Sequence, residues 1–471
     1  MRACRDLGLA TVAVYAPADA GAPHVALADR SVPLPGDPPA DSYLNVDALL
    51  AAARATGADA VHPGYGFLSE TPAFAERCAA AGLTFVGPSA PVLALCGDKA
   101  AARARVAAAG VPVLPGTPPL GDDDAEAAAR RIGFPLLLKA AAGGGGKGIH
   151  RVRDAAELPS ALALARGEAE TAFGDGRIYL ERWLDGARHL EVQVLADPTG
   201  LVLALGERDC SVQRRHQKLI EESPAPRLAD TLRRRLHAAA VAAARGLGYE
   251  NAGTVEFLLS GEDLYFLEIN ARLQVEHPVT ELVTGIDLVA AQLSVARGEP
   301  LAPGEVTVRG HAIECRINAE DPHSGFIPST GMIDGVIEPS GPWVRVDSGM
   351  YRGMPVTRHY DPLLGKVITW GPTREDARRR MRRALEQTAV SGVATTIPFH
   401  QWALDEPAFV AGTYDTGFTR GWERRSADLG REAVAAAAAL AVVVTQDRRR
   451  SVHPPQRPER WVAAAREDGL R

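Results

Sequence analysis

The sequence predicts an α/β and α+β multidomain protein, and three observations carry that expectation. The chain has 471 residues, room for about three domains at roughly 150 residues each. Its N-terminal stretch alternates short apolar strands with helices of about ten residues, the texture of a parallel sheet. Beyond residue 97 the alternation gives way to longer strands, and from residue 309 to a mixed segment of strands and a helix. Hydrophobic residues make up 46% and charged residues 23%. That is ordinary globular composition and excludes wholesale disorder.

Taken in order, Arg2–Gly8 reads as helix and Thr11–Tyr15 as strand. Val46–Gly57 reads as helix, Ala60–His62 as strand, Pro72–Gly82 as helix and Thr84–Val86 as strand. Gly57 and Gly82 stand where glycines end helices. Lys99–Gly110 and Ala125–Ile132 are helical, and the strand Pro135–Lys139 runs into a glycine tract. Strands follow at Arg177–Arg182, Leu190–Asp197, Val202–Glu207, Thr254–Leu259 and Leu264–Asn270. The last segment carries strands His311–Arg316, Trp343–Asp347 and Lys366–Thr369 and the helix Glu375–Thr388. After Phe418 the chain turns Arg-, Ala- and Pro-rich, and Asp447–Arg460 reads as linker.

The net charge is −6, whereas a nucleic-acid or anionic-membrane binder is usually basic. The run Arg378–Arg383 is therefore expected to be a solvated helix face. No apolar run reaches the 18 or so residues of a membrane span. The five cysteines form no CxxC pair, which disfavours a zinc ribbon or disulfide framework and suits a reduced, cytoplasmic protein. Of 52 basic residues only Lys99, Lys139, Lys147, Lys218 and Lys366 are lysine. In a chain that writes arginine nearly everywhere, lysine is expected where a compact ammonium is needed and a guanidinium fork does not fit.

Three constellations carry chemistry. Gly143-Gly144-Gly145-Gly146-Lys147-Gly148 is no Walker loop, because Gly148 follows the lysine. Between two strands it fits a flap whose bare amides close over phosphates, or a plain flexible hairpin tip. Second, Thr254–Leu259 and Leu264–Asn270 flank a Ser260–Asp263 loop. Folding about residue 262 sets Val255, Phe257 and Leu259 against Ile269, Leu267 and Tyr265 on an apolar face. It sets Glu256 against Glu268 and Thr254 against Asn270 on the other. Opposed carboxylates repel; a divalent cation between them relieves the repulsion, and oxygen-only ligands suit Mg²⁺ or Mn²⁺. The alternative is two solvated glutamates. Third, Asn270-Ala-Arg272-Leu-Gln274-Val275-Glu276-His277-Pro278 offers Arg272 to grip a small oxyanion and Glu276 as a base. The dense polar run Glu207–Lys218, including Gln213 and His216, adds donors. Cys210 within it reads as a small packed residue.

These residues resemble the biotin carboxylase family, an ATP-grasp component of biotin-dependent carboxylases. The resemblance is carried by His62-Pro-Gly-Tyr-Gly-Phe-Leu-Ser-Glu70, Gly97-Asp-Lys99, the Lys139 strand with its glycine tract, Glu207–Lys218 and Glu268–Pro278. It continues in His311-Ala-Ile-Glu-Cys-Arg-Ile-Asn-Ala-Glu320 and Tyr360-Asp-Pro-Leu-Leu-Gly-Lys366. It implies a Rossmann-like pre-ATP-grasp domain at 1–97 and an ATP-grasp domain at 98–308 with a mobile lid at about 115–185. A mixed α+β domain at 309–420 and a 421–471 extension follow.

By the resemblance, Lys99, Lys139, His189, Gln213 and His216 hold nucleotide and phosphate, and the Gly143–Gly148 flap closes over ATP. Glu181 and Leu184 bracket the adenine. Glu256, Glu268 and Asn270 bind Mg²⁺ or Mn²⁺, two ions per site. Lys218, Arg272, Gln274 and Val275 form the bicarbonate pocket, Glu276 is the general base, and Arg316 steadies the biotin enolate. The implied reaction is ATP- and bicarbonate-dependent carboxylation of biotin on a carrier protein through carboxyphosphate, the first half-reaction of an acyl-CoA carboxylase. Implied partners are a biotin carboxyl carrier protein or domain, a second copy of the chain and a carboxyltransferase subunit. The rivals are another ATP-grasp ligase and a non-catalytic assembly subunit. Two departures stand out. No lysine follows Lys366 and no Met-Lys-Met site is present, so the biotin is expected on a separate chain or a missing C-terminal part. The chain also opens inside a helix that the family precedes with a strand. The expectation is that about 15–20 residues are absent, leaving Thr11–Tyr15 and Ala60–His62 beside a gap.

Overall fold

In a computed structural model, residues 1–120, 125–141, 149–302, 304 and 306–422 are described. The glycine tract Gly143–Gly148, the lid residues around it and the 423–471 extension with its expected linker lie outside them.

The N-terminal elements form as expected, at slightly shorter bounds. Helix Val46–Thr56 starts on Asn45, whose side chain accepts from the Ala48 amide, and ends on Gly57 at φ 67°. The strands, however, do not make one parallel sheet. Val12–Tyr15 pairs with Arg30–Pro33, a strand missing from the sequence reading, and Ala60–Val61 pairs with Thr84–Phe85. Each is a separate two-stranded parallel pair. Leu50, Ala53, Phe74, Cys78 and Leu83 fill the core beneath the second pair.

A three-stranded sheet follows, ordered Ile149–Val152, Leu136–Ala140, Ile178–Arg182. The strands on either side of the glycine tract pair antiparallel, Lys139 opposite Ile149. Helices Ala125–Ile132 and Leu158–Phe173 pack on this sheet through Ala128, Ala129, Ala165 and Ala169.

The frame of the molecule is an eight-stranded antiparallel sheet. Its spatial order is Asp263–Asn270, Asn251–Ser260, Arg188–Ala196, Val202–Arg214, Gln217–Ser223, His311–Asn318, Leu363–Gly371, Val344–Ser348. Alternation along the strands decides what each face carries. Leu190, Val192, Val194, Val255 and Phe257 join a core with helices Lys99–Ala108 and Asp230–Leu247. The alternate residues His189, Glu191, Gln193, Thr254 and Glu256 take the opposite, polar face. They are nonetheless buried there; helix His277–Thr284 packs on the neighbouring strands Val202–Arg214, Gln217–Ser223, His311–Asn318 and Leu363–Gly371.

Two expectations for this region differ from the structure. The strand expected at Val202–Glu207 continues to Arg214, and a turn of Arg215 (φ 48°) and His216 (φ 65°) leads into Gln217–Ser223. Two successive positive φ values are the geometry of a two-residue hairpin turn. The second correction concerns the Glu256 hairpin. Thr254–Asn270, Val255–Ile269 and Glu256–Glu268 pair as expected, but a bulge follows, and Phe257 pairs with Phe266 and Leu259 with Leu264. The turn is Gly261–Glu262, with Gly261 at φ 62°, rather than a four-residue loop. The bulge turns Phe266 into the core, edge-to-face on Phe257 at 6.2 Å, and leaves Leu267 and Tyr265 half-buried.

Residues Met1–Thr419 form one compact unit. The arginine-rich helix Arg374–Gln387 is a solvated face as expected: Arg378 pairs with Glu375 and Asp405, and Arg379 with Asp376. Among the described residues no single helix is long and apolar enough to cross a membrane.

Candidate active site

The polar face of the large sheet gathers its charges around Lys218. Its Nζ donates to Glu191 Oε2 at 2.5 Å, Glu256 Oε1 at 2.8 Å and Glu276 Oε1 at 2.7 Å. An ammonium has three donors, and all are used. Burial works against the charge on Lys218, but Glu191, Glu256 and Glu276 outweigh it and hold the ammonium well above the usual lysine range. Burial likewise pushes Glu276 up, yet Lys218, Arg316 and Arg208 hold its carboxyl well below the usual range.

Glu276 sits at the N-cap of helix His277–Thr284, fully buried. Arg316, on the strand His311–Asn318, reaches it from the other side, with Nη2 to Glu276 Oε2 at 2.9 Å and Nε to Glu221 Oε1 at 2.6 Å. Glu276 therefore lies between two cations. Arg272 donates to Glu70 at 2.9 Å and to Gln274 Oε1 at 3.2 Å. The Val275 carbonyl accepts from Lys366.

Glu256 and Glu268 are cross-strand neighbours, as expected, but the repulsion argument does not survive the structure. Glu256 pairs with Lys218 and with His189 at 3.1 Å and accepts from the Asn270 amide at 2.8 Å. Glu268 pairs with Lys99 at 2.7 Å. Each carboxylate already has a cation beside it. The donor set fits a hard divalent ion all the same: two carboxylates and an amide group, oxygen donors at the end of one hairpin. His189, Glu191 and Glu256 also bring ligand atoms within 4.8 Å of one another, as do Glu191, Cys210 and Glu276.

The remaining candidates lie along one side. Lys139 pairs with Glu181, and Arg103 approaches the same carboxylate at 3.8 Å. The Glu181 side chain is thus committed to cations. Leu184 follows that strand, half-buried. His189 and Gln213 are buried neighbours at 3.5 Å. Burial first, then Lys139 and His189, depress the His216 pKa. Lys99 senses Lys139 through space, so the five nucleotide candidates share one electrostatic neighbourhood. Cys210 is fully buried, as a packed residue should be.

Sequence reasoning gave no role to Glu191, Arg208 or Glu221. Arg208 is fully buried and uses four of its five donors, to Glu191 at 2.5 Å, Gln193 at 2.8 Å, Thr280 at 2.9 Å and Thr254 at 3.0 Å. The signal was present in His189-Leu-Glu191-Val-Gln193-Val194, where polar residues at every second position mark a strand face turned to other polar groups.

Comparison with known proteins agrees with this geometry. Residues 1–93 match the biotin carboxylase N-terminal domain family. Residues 98–303 match the carbamoyl-phosphate synthase L chain ATP-binding domain family, and residues 314–420 the biotin carboxylase C-terminal domain family. The chain is 48% identical to a biotin carboxylase from Nostoc sp., over 89% of its own length and 95% of that protein's. It is 48% identical to the biotin carboxylase of Haemophilus influenzae, over 88% and 93%. The fold is similar to the crystal structure of a biotin carboxylase–beta-gamma-ATP complex from Campylobacter jejuni, with TM-score 0.87, 45% identity, and 89% and 95% of the two chains covered. It is equally similar, at 43% identity over 90% and 95%, to the biotin carboxylase domain dimer of Hydrogenobacter thermophilus 2-oxoglutarate carboxylase in complex with MgADP, ADP and bicarbonate. With an ATP-grasp sheet and near-half identity along almost the whole of these relatives, the chain belongs to the biotin carboxylase family.

Proposed function

We propose that this chain carboxylates biotin on a carrier protein, using ATP and bicarbonate, as the first half-reaction of an acyl-CoA or related carboxylase. The observation that carries the reading is Glu276 buried between Lys218 and Arg316. A carboxylate held that tightly is a weak base. It gains proton affinity only when both cations turn to something else. Bicarbonate draws Lys218, and the biotin ureido oxygen draws Arg316. Substrate arrival therefore switches on the base it needs.

Glu276 then takes the bicarbonate proton, and the oxyanion attacks the γ-phosphorus of ATP, releasing ADP and forming carboxyphosphate. Lys218, Arg272, Gln274 and Val275 hold the bicarbonate, and Lys99, Lys139, His189, Gln213 and His216 the nucleotide and its phosphates. Phosphoryl transfer of this kind is chiefly positioning and charge neutralisation. Carboxyphosphate breaks down to CO₂ and phosphate, the phosphate takes the ureido proton, and the ureido nitrogen captures CO₂ while Arg316 faces the developing oxyanion. Glu256, Glu268 and Asn270 would hold Mg²⁺ or Mn²⁺, two ions per site, which when bound neutralise charge on the ATP phosphates. A biotinylated carrier protein or domain, a carboxyltransferase and a second copy of the chain complete the proposed assembly. The unpaired cysteines suit a cytoplasmic setting.

The test is ATP turnover with Mg²⁺ in the presence and absence of bicarbonate and free biotin, with carboxybiotin trapped from labelled bicarbonate. Turnover that ignores biotin but responds to another carboxylate would transfer the site to a different ATP-grasp ligase.

A further inference from the structure

Beside the Glu276–Arg316 contact lies a second buried acidic pair that the mechanism above does not use. Glu221 and Glu314 are direct Cα partners in the antiparallel ladder between Gln217–Ser223 and His311–Asn318. Both are 0% exposed. Glu221 Oε1 accepts from Arg316 at 2.6 Å, but Glu221 Oε2 and both oxygens of Glu314 have no hydrogen-bond donor among the described residues. Lys366 comes only to 3.8 Å from Glu314 and spends its hydrogen bond on the Val275 carbonyl. Two buried carboxylates side by side repel, and each oxygen without a donor is costly. One proton between them removes the repulsion and supplies the missing donor, as in other carboxyl pairs that share a site.

We propose that Glu221 and Glu314 share a single proton at neutral pH and act as a positioning pair for Arg316, keeping its guanidinium aimed at Glu276 and the biotin side of the site. The aim toward biotin rests on the functional reading above; the shared proton does not. With both groups ionised, the added negative charge would draw Arg316 back into the sheet.

The surroundings agree. Facing Glu221 are Arg316 and Glu314, Glu276 from the N-cap of His277–Thr284, and Lys218 from its own strand. Burial raises Glu221 to about 7, against the lowering effect of Arg316. Facing Glu314 are Lys366 from Leu363–Gly371, then Glu221, Arg316 and Glu276. Burial pushes it well above the usual range, with Lys366 opposing. Asp347 from Val344–Ser348 shares Lys366 at 3.8 Å, Tyr65 feels Glu314 from the loop after Ala60–Val61, and the buried Cys315 thiol feels both carboxyls.

The experiment uses the full chain, with Glu221→Gln and Glu314→Gln. Infrared difference spectra across a pH series read the carboxylic-acid C=O band directly. The expected result is a protonated-carboxyl band in the parent at neutral pH that fades as pH rises, and that fades at lower pH in both variants. In each variant the remaining carboxyl stays buried beside its own cation, Arg316 or Lys366, but loses its like-charged neighbour, so it gives up its proton more readily. No such band in the parent, or a band with the parent's pH dependence in both variants, overturns the shared proton. For positioning, Glu221→Gln should raise KM for free biotin about tenfold or more, the loss of one charge-assisted bond. Glu314→Gln, whose amide supplies the same donor to Glu221, should keep KM within a few-fold and shift the alkaline limb of the biotin-dependent pH profile. An unchanged biotin KM and pH profile in both variants overturns the positioning role. Should the parent show no biotin-dependent turnover, it is the functional reading that fails, and the infrared band still decides the pair. Urea melts of both variants establish that each is folded.

Discussion

Lys218→Arg keeps the charge and should still damage the protein, and the size of the damage follows from the cage around the ammonium. Three acceptors from three separate elements converge on one nitrogen at 2.5–2.8 Å. A guanidinium spreads its donors over a planar fork and is larger. It cannot place one nitrogen where all three carboxylates meet, and the neighbouring space is filled by Arg208, fully buried and bonded to Glu191. At least one of the three contacts is lost. A hydrogen bond to a charged group contributes about 1.5–3 kcal/mol, so urea unfolding should show a loss of that order. If the lost contact is the one Lys218 must transfer to bicarbonate, bicarbonate-dependent ATP turnover falls about 10–100-fold, since about 1.4 kcal/mol corresponds to tenfold. Lys218→Met, which leaves three buried carboxylates without their shared cation, should be worse, at about 3–5 kcal/mol. The measurements are urea melts and steady-state turnover at saturating ATP. A midpoint and a turnover both within twofold of the parent in Lys218→Arg would refute the reasoning that an ammonium is required.

Glu276→Gln should leave nucleotide binding nearly intact and cut bicarbonate-dependent turnover about 10²–10⁴-fold, the usual cost of losing a general base; direct nucleotide titration beside an ATPase assay separates the two effects. Glu256→Gln should weaken the Mg²⁺ response and also destabilise the metal-free protein, because the ion pairs to Lys218 and His189 go with the charge; melting temperature titrated with Mg²⁺ and nucleotide reads both. Lys139→Arg should be damaging because the ammonium is buried against Glu181 with Arg103 already beside it; a wild-type KM for ATP would count against this. Acid should weaken the fold through Glu207 and Glu222, where burial is outweighed by His237 and Arg233 in one and by Arg374 and His311 in the other, lowering each to about 2 from 4.5. Their stabilisation is present above pH 4.5 and is lost as pH falls toward 2, on the order of 3 kcal/mol each; Glu207→Gln should flatten that part of the pH–stability curve.

What was legible in the sequence was set by local rules. The Glu256–Glu268 register could be read because one face of the hairpin is wholly apolar, and a one-residue slip would bury charge at its polar end. The same rule misplaced the turn end, where Leu258, Phe266, Leu267 and Tyr265 are all acceptable on either face. Binary patterning is silent there, and the packing of Phe266 on Phe257 decides. Arg215 and His216 gave no turn signal, since neither belongs to the Asn-Gly, Asp-Gly or Gly-Gly pairs that mark a two-residue hairpin turn; both nonetheless take positive φ there. The parallel pairs of the N-terminal region were readable as strands but not as two separate sheets, because strand-to-strand adjacency is a tertiary fact.

For the site, residue type indicated chemistry and failed to indicate charge balance. Glu256 and Glu268 read as an acidic pair in need of a metal because their cations, Lys218, His189 and Lys99, stand 38, 67 and 169 positions away in the chain. Glu191 and Glu221 went unread for the same reason: each looks like an ordinary polar position in an alternating strand until the sheet brings Lys218 and Arg316 to it. The consequence for mechanism is physical. A metal-free site that already pairs each Glu256, Glu268 and Glu276 carboxylate with a cation stores no net repulsion for substrate to relieve. Binding must instead exchange partners, and each exchange frees a cation for phosphate or bicarbonate at the moment a carboxylate is taken by something else.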